Sequence, residues 1–194
     1  VYGPKADVLK SDIEDLLQSG ADIPEPTVEA TNKNEKNEEK HVLGIEKELF
    51  TVATGEVIAL TDVNDPVFSQ KMMGDGFAVI PATGEVTAPL SGKIVSVFPT
   101  KHAIGMQTAE GAEVLIHMGL DTVQMSQPAF EILVSEGQEV VAGTTIAQMN
   151  LDAIKNEGKE TTIIVVFTDD KVNGLTINKL GDTERGTVIG KINL

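Results

Sequence analysis

The 194-residue sequence contains no cysteine, which excludes disulfides, thiolate metal sites and a cysteine nucleophile within it and leaves compartment unconstrained by redox. Positive charge is scarce. Fifteen Lys and Arg stand against 30 Asp and Glu, a formal charge of −15, so nucleic acid and anionic membrane surfaces are poor partners and a basic protein is a better one. No apolar run approaches the roughly 18 residues of a membrane span, and no secretory leader opens the sequence. The turn Gly74-Asp75-Gly76 lacks the spacing of a dinucleotide or Walker phosphate loop. The three histidines include no His-x-His pair with a third ligand, as a zinc hydrolase would require. What is present is a hydrophobic fraction of 41%, enough for the core of one ordinary domain with appendages. The sequence starts at Val1 rather than Met, and we expect it to be part of a longer polypeptide.

Three textures follow one another. Residues 5–18, KADVLKSDIEDLLQ, put Val8, Leu9, Ile13, Leu16 and Leu17 at three- and four-residue spacings, which predicts an amphipathic helix stopped by Ser19-Gly20. Residues 1–20 therefore read as the last element of a preceding domain. Residues 21–43 are polar and of mixed charge, too poor in aliphatic side chains to offset their ordering entropy, and predict a flexible linker that also carries His41. From residue 44 the chain breaks into short runs rich in Val, Ile and Thr, such as FTVATGEVIAL, QEVVAGTTIAQM and TTIIVVF, separated by Gly, Pro, Asn and Asp. Spacings of about 8–12 residues predict an all-β fold, an antiparallel sandwich or barrel-sandwich hybrid over 44–194. Short helices are expected near Pro66–Met72, Phe130–Ser135 and Leu151–Asn156. The phrase ATGEV, at 53–57 and 82–86, reads as repeated turn chemistry rather than a duplicated unit.

The stretch from His102 to Met125 collects two of the histidines in one expected hairpin. A neutral imidazole is a good nucleophile toward phosphorus near pH 7, and a second group that holds its tautomer allows a covalent phosphoryl intermediate. A lone histidine in a strand is more often structural; two at this spacing make chemistry an equal contender. Whether they meet depends on the register. A four-residue loop, Thr108–Gly111, with Gly111 at positive φ, sets Gln107 against Ala112 and His102 directly opposite His117, with Cβ atoms about 4.5–5.5 Å apart. A three-residue loop without a bulge separates them onto opposite faces. Alternation along the second strand sends Val114, Ile116 and Met118 toward the core and Glu113, Leu115 and His117 the other way. Asp65 and Asp121 sit where turns are capped. Phe68, Met72, Met73 and Phe98 are core candidates, or, if exposed around the histidines, an apolar docking patch rimmed by carboxylates.

The segments GDGFAVIPATGEVTAPLSGKI, PTKHAIGMQTAEGAEVLIHMGLDTV and SEGQEVVAGTTI closely resemble the glucose-family IIA domain of the bacterial phosphoenolpyruvate-dependent sugar phosphotransferase system. The likeness covers about residues 46–194. Its most specific parts are His102-Ala103 and the run from Leu115 to Val123. The resemblance implies a cytoplasmic phosphocarrier: His117 accepts a phosphoryl group from the carrier protein HPr and passes it to a cysteine of a IIB domain. It makes His102 the supporting partner and Thr100 a hydrogen-bonding residue of the site. Asp65 and Asp121 become an acidic rim, and Phe68, Met72, Phe98, Leu115 and Val123 the apolar surface on which carrier and IIB dock by turns. No cofactor or metal is implied. Lys101 and Met118 depart from the small polar and aromatic residues common at these positions in free-standing IIA proteins.

Residues 1–20 are similar to the closing strand and helix of a glucose-family IIB domain, which implies a fused permease whose only contact with the membrane is a IIC domain. Glucose is the favoured sugar. The alternative is a regulatory IIA-like domain on a transporter that does not phosphorylate its sugar. A biotin- or lipoate-bearing carrier is a weaker rival, with Lys71 its only faint attachment point.

Overall fold

The chain is described here by a computed structural model over residues 44–194. The expected amphipathic helix over 5–18, the linker over 21–43 and His41 lie outside the described residues.

Short β-rich runs bounded by turn residues give short strands, and fourteen of them follow in order. The first five are β1 (Glu46–Phe50), β2 (Gly55–Ala59), β3 (Asp75–Pro81), β4 (Glu85–Thr87) and β5 (Gly92–Val97). The next five are β6 (Ala103–Gln107), β7 (Glu113–Leu120), β8 (Phe130–Ile132), β9 (Glu139–Val140) and β10 (Thr145–Met149). The last four are β11 (Glu160–Phe167), β12 (Gly174–Ile177), β13 (Gly181–Thr183) and β14 (Val188–Asn193). Two short helices, α1 (Pro66–Ser69) and α2 (Leu151–Asn156), fall where expected. The third expected helix is instead strand β8, paired to β10 through Ala147 and Ile132; a segment too short to show a helical period was settled by its neighbour across the sheet.

An eight-stranded sheet runs in the order β13-β2-β3-β11-β7-β6-β5-β9, and two three-stranded sheets, β1-β14-β12 and β4-β10-β8, accompany it. Each pairing between these strands is antiparallel, as the all-β expectation required. The main core takes Leu49 and Ile192 from one small sheet, Val86 and Met149 from the other, and Ile104, Ile116, Met118 and Ile163 from the large one. A second, smaller core lies on the opposite face of the large sheet, where Leu60, Val63 and Phe68 cover Ala78, Ile164 and Val166. Central strand β11 is buried on both faces. This explains why its sequence, TTIIVVF, is an unbroken apolar run rather than an alternating one. The two ATGEV copies enter β2 and β4, and in both the glycine is compelled by close approach. A Cβ on Gly55 would fall 2.1 Å from the Ile80 carbonyl oxygen, and one on Gly84 2.0 Å from that of Met149.

Candidate functional site

The hairpin of β6 and β7 carries both histidines, and of the two registers left open by the sequence it takes the one that places positions 102 and 117 on opposite faces of a regular ladder. Gln107 pairs with Glu113 and Ala103 with His117, so the loop has five residues, 108–112. The Thr108 hydroxyl accepts from the Ala112 N–H at 3.2 Å, and the Thr108 N–H donates to the Ala112 carbonyl at 2.9 Å. These two bonds close the loop and fix the register. Gly111 does take positive φ, 89°.

In a flat ladder with this register His102 would share a face with Met118 and turn away from His117. The chain leaves strand geometry just there. Residues 98–101 make a turn in which the Lys101 N–H donates to the Phe98 carbonyl at 2.7 Å, and Lys101 adopts φ 60°, a left-handed conformation that costs a lysine about 1 kcal/mol. The His102 carbonyl still accepts from the Met118 N–H at 2.7 Å. The two imidazole rings nevertheless lie edge to face with centroids 4.9 Å apart.

Around this pair the remaining candidates fall into distinct roles. Thr100 Oγ1 and His102 Nδ1 are hydrogen-bonded at 2.5 Å, which orients an otherwise buried ring. Phe98 meets the other side of that ring edge-on at 5.6 Å. Phe68 lies 5.3 Å from the His117 ring but is only 8% exposed, so the expected docking residue is chiefly a wall beneath the imidazole. Asp65 places it. Its Oδ1 accepts from the Val67 and Phe68 N–H groups at 2.8 and 3.3 Å, with Pro66 opening the helix behind this cap. Leu115, half-buried, packs into the same small core as Phe68.

The other apolar candidates are more open. Met72 is 70% exposed, Val123 48% and Phe98 38%, and Val67 and Met73 add to this set at 42% and 41%. Met72 and Val123 make no hydrogen bond to either histidine among the described residues. Val67 was not singled out from the sequence; its signal was its place between a capping Asp-Pro and a buried Phe.

Behind His117 the strand ends in a bulge. Register with β11 slips between the Met118 and Leu120 pairs, Gly119 has φ 79°, and a Cβ there would fall 2.4 Å from Thr122 Cγ2; only glycine fits. Asp121 follows at φ 56°, and the Thr122 hydroxyl donates to the Met118 carbonyl at 2.7 Å. Burial first, then the nearby His102, push the His117 pKa from 6.5 down to about 4, against the opposing pull of the Gly119 main chain and of Asp65 and Asp121. Burial lowers His102 as well. His117 Nδ1 is buried, and the main chain of Gly119 is the neighbour that acts on the ring in the sense of a hydrogen bond, although no partner among the described residues meets it in close geometry. The accessible nitrogen of this half-buried ring is therefore Nε2. A neutral imidazole with one open nitrogen and a second, oriented imidazole beside it is suited to nucleophilic group transfer. Among the described residues no cluster of three or more His, Asp or Glu is placed to hold a metal.

Residues 47–172 match the family model of the phosphoenolpyruvate-dependent sugar phosphotransferase system, EIIA 1. The chain belongs to this family. Among curated relatives of this EIIA chain, the glucose-specific EIICBA component of Streptococcus pneumoniae serotype 4 is 47% identical over 195 residues, covering 100% of the chain and 27% of the relative. Two proteins of Staphylococcus carnosus follow. Its glucose-specific EIICBA component is 38% identical over 188 residues, covering 96% of the chain and 27% of the relative; its glucoside-specific EIICBA component is 36% identical, covering 100% and 28%. The chain thus spans about a quarter of the length of these relatives. Among solved structures, glucose permease IIA from Mycoplasma capricolum superposes with a TM-score of 0.72 at 37% identity, over 77% of this chain and 97% of that one. Membership makes the EIIA domain a phosphotransferase component, in agreement with its site of paired imidazoles.

Proposed function

We propose that His117 is the phosphoryl acceptor of this EIIA domain, that phospho-HPr is its donor, and that a IIB cysteine of the same fused permease is its acceptor in the uptake of glucose. The observation that carries the reading is the contact of two unlike imidazoles: His117 neutral with Nε2 open, and His102 fixed by Thr100 at 4.9 Å between ring centroids. In the first step the Nε2 lone pair of His117 attacks phosphorus in line, a new P–N bond forms, and the P–N bond to the HPr histidine breaks. In the second, a cysteine thiolate attacks the same phosphorus, an S–P bond forms, and His117 recovers its lone pair. The metaphosphate-like group carries charge on three oxygens, so the protein's work is positioning and charge stabilisation. A Thr100 hydroxyl that donates to His102 Nδ1 leaves the His102 proton on Nε2, aimed to donate to a phosphoryl oxygen.

His117 is half-buried, Met72, Phe98 and Val123 are exposed, and Asp65 and Asp121 are near enough to act on the charge of the His117 ring. That arrangement fits an apolar contact framed by acid, the complement of a basic carrier. We assign residues 1–20 to the end of a IIB domain, 21–43 to a tether and 44–194 to the EIIA domain, and place the chain at the cytoplasmic face of the membrane. A short tether raises the effective concentration of one domain at the other to the mM range.

The test is labelling from phosphoenolpyruvate through the two general carrier proteins, followed by chase onto a IIB domain. His117→Ala should take up no label while keeping the wild-type fold by circular dichroism. Label retained in that variant overturns the assignment.

A further inference from the structure

The face of the large sheet that carries His117 is unusually bare on the side of β6. Residues Ala103, Gly105 and Gln107 share that face with His117, Leu115 and Glu113. Ala103 stands directly opposite His117, where Cβ atoms are about 4.5–5.5 Å apart. His102, one residue earlier, reaches the His117 ring although its ladder position points it elsewhere. Ala103, next to His102 in the chain and opposite His117 in the ladder, contributes a single methyl group to that face. The next position along is smaller still: a Cβ on Gly105 would fall 2.4 Å from Ser96 Oγ. Ala103 itself is 1% exposed, so volume added there has no outlet to solvent, and the side chain facing it across the ladder is the His117 imidazole.

We propose that Ala103 is a positioning residue of the phosphoryl-transfer site, its methyl serving as the spacer that sets how closely the His102 ring approaches His117. The left-handed turn at Lys101 delivers His102 to the gap, and Ala103 leaves the gap open. A β-branched residue would suit the strand as well or better, so the demand for a small side chain comes from the rings rather than from the sheet. The inference rests on His117 being the phosphoryl acceptor.

A graded series, Ala103→Gly, Ala103→Ser and Ala103→Val, in the 194-residue chain tests it. Three measurements are made on each: thermal stability, the NMR cross-peaks and pH titrations of the two imidazoles, and the rates of phosphorylation by phospho-HPr and of transfer to IIB. Ala103→Gly should keep the ring-to-ring cross-peaks and both rates near wild type. Ala103→Ser should weaken the cross-peaks. Ala103→Val should lose them, uncouple the two titrations, and slow transfer roughly ten- to a hundredfold, the scale expected of a misplacement near 1 Å. If Val does not fold, the Gly and Ser variants carry the same trend. Rates that ignore side-chain size, or ring contacts that survive Val, overturn the inference. Labelling of His117→Ala overturns the underlying assignment instead, so the two failures are separately visible.

Discussion

The two faces of strand β7 obey opposite rules. Val114, Ile116 and Met118 are 2%, 0% and 0% exposed and belong to the main core. Leu115 and His117, interleaved with them, are half-buried, and His117 has one buried ring nitrogen. One face is filled with ordinary van der Waals contacts; the other tolerates a buried imidazole nitrogen, a bulge at Gly119 and two left-handed residues, Lys101 and Asp121, around it. Such costs gather where a site must be held in a chosen geometry, and the well-packed face supplies the stability that offsets them.

This contrast can be broken in order of decreasing effect. Ile116→Ala, on the core side, should lower unfolding free energy by about 3–5 kcal/mol in urea titrations yet leave transfer by the folded protein unchanged. If instead transfer falls with stability, the two faces are not independent. On the site side the acid sensitivity of His117 comes next. Its folded pKa, about 4, lies below the ordinary 6.5, so the unfolded chain binds the proton more readily. The stability tied to the neutral ring is complete above pH 6.5 and is lost as pH falls through 4, about 3 kcal/mol in all. His117→Gln should flatten that part of the stability profile between pH 7 and 4, and a profile unchanged by the substitution would show that the ring is not held neutral by burial.

A third effect concerns His102. With glutamine at 102, label should still enter His117, whereas onward transfer to IIB slows on the order of a hundredfold, the usual cost of one lost donor to a charged transition state. Equal rates in rapid-mixing chase experiments would reduce His102 to a structural residue. The smallest effect is expected at the wall beneath the site. Asp65→Ala removes a helix cap and should cost about 1 kcal/mol in thermal melts, with a change in the His117 chemical shift as Phe68 loosens; Asp65→Asn, which keeps an accepting oxygen, should restore most of both.

Much of the domain was legible before any coordinates. Alternation predicted which of Val114 to Met118 face the core, and both the β-rich texture and two of three short helices came from local pattern. Phe130–Ile132 was misread because three residues carry no period, and pairing with β10 decided them. The hairpin register was left open between two loops, because the bonds of Thr108 to Ala112 that close it leave no sign in composition. Phe68 was expected on a docking surface, but the cap at Asp65 folds it under His117.

The register matters, since a slip of one residue reverses faces in a regular strand. Two histidines fifteen positions apart in the sequence were enough to indicate a paired-imidazole site, because the types, the intervening turn and the flanking motif are all local properties of the chain. How the rings meet was decided elsewhere. It needed the register of β6 on β7 and the left-handed turn at Lys101, and both depend on contacts that the sequence pattern does not carry. Local pattern determined which side chains are available to the site, and tertiary packing decided the distance between them.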